Sequence, residues 1–134
     1  MRWRRISVLQ TITESLGVTA PDRYPVIDLQ RGGSVQGIIT ALNRVLALTV
    51  PAAFQEGGTI VIPGHGRLSE EADVVEYRDM VVIVRDRVQD LIKKGQSLEQ
   101  VKSARPSRDY DNEYGASNAD AFIEAIYRSL TKKA

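Results

Sequence analysis

The chain has no cysteine, a single histidine and no long apolar run among its 134 residues. Absence of cysteine excludes disulfides, thiolate metal sites and cysteine nucleophiles, and it fits a cytoplasmic protein. No stretch approaches the 18 or more apolar residues that a membrane-spanning helix needs. The single imidazole, His65, also limits any histidine-rich metal site that this chain could build alone.

Charge is nearly balanced, with 18 basic and 17 acidic residues and a formal net charge of +1. This balance gives no reason to expect nucleic acid or a membrane surface as a partner. The opening stretch, "MRWRRISVLQTITESLGVTA", has a basic start but lacks the clean apolar segment of a secretory signal. We therefore expect a cytoplasmic protein whose length suits one domain.

Two short apolar segments predict strands on either side of a helix. "YPVIDL" (Tyr24–Leu29) is rich in β-formers, and "TIVI" (Thr59–Ile62) is a continuous apolar run suited to a strand buried on both faces. Between them, Ser34 can cap a helix predicted over Val35–Leu48, whose apolar residues recur three and four apart. A strand-helix-strand unit of this kind predicts an α/β fold with a parallel pair.

Three further helices are predicted after the second strand. Ser69 is an N-cap candidate for a long helix with an apolar stripe from Val74 to Leu91, closed by Lys93, Lys94 and Gly95. "SLEQ" (Ser97–Gln100) fits a capping box for a short helix that ends near Arg105 and Pro106. After a polar loop over 107–117, a last helix carries apolar residues from Ala119 to Leu130 on one face.

His65 is the main candidate for chemistry. Pro63 should end the preceding strand, and Gly64 and Gly66 allow a tight turn that exposes the imidazole at the strand's end, where α/β proteins place ligand sites. The alternative is a histidine hydrogen-bonded to a carbonyl of the turn. Elsewhere, "RGGS" before the first helix could hold an anion on backbone N–H groups. No Lys follows in a Gly-Lys-Ser/Thr arrangement, so the segment is not a P-loop, and a tight turn with a helix cap is the favoured interpretation.

The segment "GGTIVIPGHGRLSEEADVVEYRDMV", followed by "GQSLEQVKSARP", resembles the C-terminal portion of metallo-β-lactamase (MBL) fold hydrolases. "RYPVIDLQRGGSVQGIITALNRVL" also looks like the segment that precedes it in one branch of that superfamily. The resemblance covers about residues 23–130. It divides the chain into an unmatched segment, 1–22, and a C-terminal portion of an MBL-fold domain, 23–134. It implies half of an αββα sandwich, in the order strand, helix, strand, long helix, short helix, helix.

The resemblance implies that His65 is a zinc ligand in a metal-dependent hydrolase. The superfamily's His-x-His-x-Asp-His motif is absent here, because the chain has no second histidine. A catalytic zinc needs about three protein ligands, so we expect no retained zinc and no hydrolysis by this chain alone. Three alternatives stay open: a fragment of a longer enzyme, a split half that needs a partner chain, or a degenerate relative serving as a binding or assembly module. Half a sandwich would expose an apolar sheet face, which predicts self-association or a covering partner.

Overall fold

The computed structural model describes residues 22–48 and 71–132, and these two stretches are helical. The α-helices are α1 (Val35–Leu48), α2 (Glu71–Lys93), α3 (Leu98–Ala104), α4 (Asp111–Tyr114) and α5 (Ala119–Thr131). Short 3-10 helices occupy Leu29–Arg31, Arg108–Tyr110 and Ala116–Asn118. Helical residues make up 78% of the described part, which contains no strand, so the α/β prediction is wrong and this part is all-α.

The predicted strand at Tyr24–Leu29 is also wrong: residues 24–28 are irregular and a 3-10 helix begins at Leu29. The carboxylate of Asp28 accepts hydrogen bonds from the backbone N–H groups of Gln30 and Arg31, which bends the chain instead of extending it. Gly33 then donates its N–H to the carbonyl of Asp28 at 2.8 Å. A Cβ on Gly33 would lie 2.7 Å from that oxygen, so only glycine allows this close turn.

The two long helices have the predicted type and apolar faces. The hydroxyl of Ser34 accepts a hydrogen bond from the N–H of Gly37 at 3.0 Å, which confirms Ser34 as the cap of α1. Gly95 has φ +80° after α2 and donates its N–H to the carbonyl of Ile92, which closes the helix as predicted. Helix α2 contributes most to the core, with six buried residues: Val74, Tyr77, Met80, Val81, Val84 and Val88.

The short and last helices follow the predicted signals as well. The Ser97 hydroxyl accepts from the N–H of Gln100, and the Gln100 side chain accepts from the N–H of Ser97, so the capping box is confirmed. Helix α5 packs against α1, α2 and α3 and buries Phe122, Ile123 and Ile126. The described core is therefore a small helical bundle in which α5 is the shared element.

The segment 107–117, predicted as a polar loop, is instead a chain of short helical turns packed into the bundle. Ser107, Asp111 and Tyr114 within it are buried. The carboxylate of Asp111 accepts hydrogen bonds from the hydroxyls of Ser107 and Tyr24, and these bonds allow the polar groups of Ser107 and Asp111 to be buried.

Several predictions fall on residues outside the described stretches. These are the strand at Thr59–Ile62, the turn around His65, the N-cap at Ser69 and nearly all of the segment 1–22. The described helices include none that is long and apolar enough to cross a membrane.

Candidate functional site

The most organised polar group in the described structure is centred on Asp111, which is 5% exposed. Its Oδ1 accepts hydrogen bonds from the hydroxyl of Tyr24 at 2.8 Å and from the hydroxyl of Ser107 at 2.9 Å. Its Oδ2 accepts from a guanidinium nitrogen of Arg105 at 3.0 Å. Three donors from two distant parts of the sequence thus surround one buried carboxylate.

Aromatic packing holds Tyr24 in this position. The Tyr24 ring stacks on Phe122 of α5 with a centroid distance of 4.9 Å, and it contacts Tyr114 at 5.6 Å. The backbone N–H of Tyr24 donates to the carbonyl of Tyr114, while Tyr77 of α2 donates its hydroxyl to the carbonyl of Arg23. Tyr24 and the preceding Arg23 therefore anchor the irregular segment before α1 to α2, α4 and α5.

Arg105 and Arg87 both contact the turn that joins α3 to α4. Arg105 ends α3 in the left-handed conformation at φ +48°, and its side chain points back to Asp111. Arg87 of α2 donates to the carbonyl of Pro106 at 2.8 Å and to the carboxylate of Asp109 at 2.9 Å. Two arginines thus fix both ends of the turn between α3 and α4.

Hydrogen bonding keeps Asp111 ionised despite its burial. Desolvation opposes the charged form, but the bonds from Tyr24, Ser107 and Arg105 outweigh it and hold the pKa of Asp111 below its usual value. Burial, and then the hydrogen bond to Asp111, raise the pKa of Tyr24 well above that of a free tyrosine. Burial, with the nearby Glu113 carboxylate, raises the pKa of Tyr114 to about 12. Tyr24 therefore acts as a neutral donor and Asp111 as a charged acceptor at neutral pH.

A cleft of about 430 Å³ opens beside this network, between α3 and the start of α5. Lys102 and Arg105 lie on the α3 side, and Ala119, Asp120 and Ile123 lie on the α5 side. Lys102 donates to Glu124 at 2.8 Å, a bond that raises the pKa of Lys102 and lowers the pKa of Glu124. The cleft has a size typical of small-molecule sites and a mixed charge.

The predicted zinc site has no counterpart in residues 22–48 and 71–132, where no group of three or more histidine, cysteine or carboxylate side chains could hold a metal ion. His65 itself lies outside these residues, so its predicted role as a ligand stays a prediction. The described residues by themselves do not fit zinc.

The alternative anion site at "RGGS" is not supported. The hydroxyl of Ser34 accepts from Gly37, the N–H of Val35 donates to the Ser129 hydroxyl of α5, and the N–H of Gly33 is used within its own turn. These N–H groups already have partners, so the segment is a tight turn with a helix cap.

Sequence patterns did not identify the Asp111 network. The stretch "SRDYDNEYG" did carry a signal, since tyrosines and carboxylates alternate within it, but nothing local indicated that Tyr24 would be the partner. Comparison with known proteins adds no relative, because no family model, curated protein or solved structure matches the chain.

Proposed function

We propose that this chain is a helical portion of a zinc-dependent hydrolase of the MBL superfamily and is inactive by itself. The observation that carries the proposal is the pair of helices α2 and α3. The stretch "VVEYRDMV" lies within α2, and a capping box at Ser97 starts α3 directly afterwards. That order, a long helix and then a short one starting in a Ser-Leu-Glu pattern, is the order that the resemblance implies.

Under this proposal His65 supplies one ligand, and the others come from a partner chain that carries the His-x-His-x-Asp-His motif. Ligand counting supports the need for a partner, because a catalytic zinc takes about three protein ligands and this chain has one histidine. The protein would act in the cytoplasm, consistent with its lack of cysteine. The substrate class stays open to any ester, amide, lactone, thioester or phosphoester.

The test asks whether His65 is an accessible metal ligand. A column carrying copper(II) on immobilised iminodiacetate offers a metal with open positions, which one accessible imidazole can fill. We expect the untagged chain to be retained and His65→Ala to pass through, since His65 is the only imidazole. Equal retention of both proteins would mean that groups other than His65 bind the copper, and it would contradict the proposed role. Retention of neither would contradict it too and favour a histidine hydrogen-bonded within its own turn.

Zinc content measured by plasma mass spectrometry gives the second arm of the test. We expect the dialysed chain to retain no stoichiometric zinc and to hydrolyse none of a panel of lactone, ester and thioester substrates. Stoichiometric zinc that disappears in His65→Ala would mean that this chain completes the site without a partner, and the split-half proposal would then be wrong.

The second candidate is a non-enzymatic binding module. The cleft between α3 and α5 favours it, because its walls are fixed by the Asp111 network and by the Lys102–Glu124 ion pair. A cleft of this kind is suited to binding a small molecule without further chemistry.

A further inference from the structure

We propose that residues 22–33 form a strap that opens while the helical bundle stays folded, and that the pocket under the strap binds a para-substituted phenol. Tyr24 is the internal occupant of this pocket when the strap is closed. The inference concerns the contacts of the strap with α2, α4 and α5, and it does not depend on zinc or on His65.

The strap is attached to the bundle mainly at Arg23 and Tyr24. The backbone N–H of Tyr24 donates to the carbonyl of Tyr114 at 3.3 Å, and the hydroxyl of Tyr77 donates to the carbonyl of Arg23 at 2.9 Å. Of the residues in the strap, only Tyr24 and Pro25 are buried. Opening the strap therefore exposes much less apolar surface than unfolding the bundle, which is the condition for a local opening below the free energy of global unfolding.

The rest of the strap is bonded to itself. The carboxylate of Asp28 accepts hydrogen bonds from two backbone N–H groups of the strap, and the carbonyl of Asp28 accepts from the N–H of Gly33. The start of α1 is fixed separately, because the N–H of Val35 donates to the Ser129 hydroxyl of α5 at 3.1 Å. Gly33 lies between this turn and the Ser34 cap of α1, and as a glycine it can absorb a change of backbone direction, as hinge residues do.

The aromatic walls of the pocket belong to the bundle. Tyr77 of α2 and Tyr114 of α4 contact each other edge to face, at a ring-centroid distance of 5.8 Å. Phe122 forms the third wall and is buried in α5. Because packed surroundings relax only partially when a side chain leaves, removal of Tyr24 leaves a pocket with three aromatic walls.

A carboxylate lies where the hydroxyl of Tyr24 points. Asp111 accepts this hydroxyl at 2.8 Å, and its other bonds, from Ser107 at 2.9 Å and Arg105 at 3.0 Å, do not involve the strap. These two bonds keep the carboxylate oriented when the strap is open, so the pocket offers one charged acceptor to a hydroxyl donor. Aromatic walls and a charged acceptor together select a phenol, because an apolar ring leaves the acceptor unpaired and an anion brings no donor for it.

The first test is native-state hydrogen exchange of the full chain, measured by NMR at low concentrations of urea. The bond from the Tyr24 amide to the Tyr114 carbonyl breaks when the strap opens, so we expect this amide to exchange at a rate that depends little on urea. The amide of Ile126, at a fully buried position of α5, should exchange more slowly and accelerate steeply with urea, since it needs global unfolding.

Val84→Ala separates the two kinds of opening. Val84 is fully buried in α2, about two turns from Tyr77, so its truncation weakens the bundle equally whether the strap is closed or open. Exchange at Ile126 should accelerate about tenfold or more, and exchange at Tyr24 should stay unchanged. If the two amides share one urea dependence, or accelerate together in Val84→Ala, the strap does not open by itself and the proposal is overturned.

The second test fills the pocket after its internal occupant is removed by Tyr24→Ala. Binding is measured as the rise of the urea midpoint with ligand concentration. We expect p-cresol to raise the midpoint and toluene to bind about tenfold more weakly or worse, because only p-cresol donates a hydrogen bond to Asp111. The wild-type chain should bind p-cresol more weakly than the variant, since Tyr24 competes for the pocket. If Tyr24→Ala is unfolded by itself, p-cresol should restore its helical circular dichroism signal.

Tyr127→Ala is the matched control, because it also truncates a tyrosine but at a partly buried position of α5 where no described carboxylate accepts the hydroxyl. It should show no rise of the urea midpoint with p-cresol. The phenol pocket is refuted if p-cresol neither stabilises nor refolds Tyr24→Ala. Equal binding of p-cresol and toluene would refute it as well, because Asp111 would then recognise no hydroxyl.

Discussion

Replacement of Tyr24 by phenylalanine tests whether the Asp111 network holds the segment before α1 in place. The substitution removes the hydroxyl that donates to Asp111 at 2.8 Å and approaches the carbonyl of Ser107 at 3.2 Å. The ring keeps its stacking on Phe122 at 4.9 Å, so packing changes little. The loss is therefore confined to hydrogen bonding.

The expected cost follows from the charge and burial of the acceptor. A hydrogen bond to a charged group contributes about 1.5–3 kcal/mol, and Asp111 retains two other donors, so we expect a loss of about 2 kcal/mol. With an m-value of about 2 kcal/mol/M, the urea midpoint should fall by roughly 1 M. Urea unfolding followed by far-UV circular dichroism measures this shift.

Tyr127→Phe is the matched control, because the Tyr127 hydroxyl makes no hydrogen bond within the described residues. It should change the free energy of unfolding by less than about 0.5 kcal/mol. If Tyr24→Phe destabilises the protein no more than this control does, the hydroxyl contributes nothing and the interpretation of the network is wrong.

The network also predicts a pH dependence. Because the folded pKa of Asp111 lies below its unfolded value, its contribution is fully present above that unfolded value, about 4, and is lost as the pH falls through the folded pKa. The stability difference between the wild-type chain and Asp111→Asn should therefore be largest near neutral pH and shrink in acid. A difference that grows in acid would contradict the assigned ionised state.

Three further substitutions test individual elements by the same unfolding assay. Ser97→Ala should cost about 1 kcal/mol by removing the cap of α3, whereas Ser103→Ala at an exposed site should cost less than about 0.5 kcal/mol; equal costs would exclude the cap as the cause. Gly95→Ala should lower the free energy of unfolding by about 1–2 kcal/mol, because Gly95 has φ +80°, which disfavours any residue with a Cβ. A Cβ there would meet no atom within 4 Å, so the loss comes from the backbone alone, and an unchanged stability would show that the turn relaxes. Met80→Ala should cost about 2–5 kcal/mol through a core cavity, and Ile83→Ala, 36% exposed on the same helix, should cost clearly less; a reversed order would mean that α2 presents a different face to the core.

Helices with local signals were predictable from the sequence. Helix α1 follows the Ser34 cap and its apolar spacing, Gly95 closes α2 after Lys93, and the capping box at Ser97 starts α3. Each of these signals depends on residues within one or two helical turns, so it can be recognised from the sequence alone.

The strand predicted at Tyr24–Leu29 failed because β-propensity reflects the surface against which a segment packs. Here the residues meet helices instead of a neighbouring strand: Tyr24 lies against Phe122 and Tyr114, and Val26 is 65% exposed. The prediction of a polar loop at 107–117 was wrong for a different reason. Ser107 and Asp111 are polar but buried, because they hydrogen-bond to each other in the folded chain.

Local sequence patterns therefore specify helices α1, α2, α3 and α5, the cap residues of α1 and α3 and the apolar faces of the longer helices, because these properties depend on neighbours a few residues apart. The hydrogen bond from Tyr24 to Asp111, 87 residues away, forms only when the helices pack together, and so does the cleft that Arg105 and Asp120 line. Such pairings depend on how helices pack in three dimensions, and no local spacing encodes them.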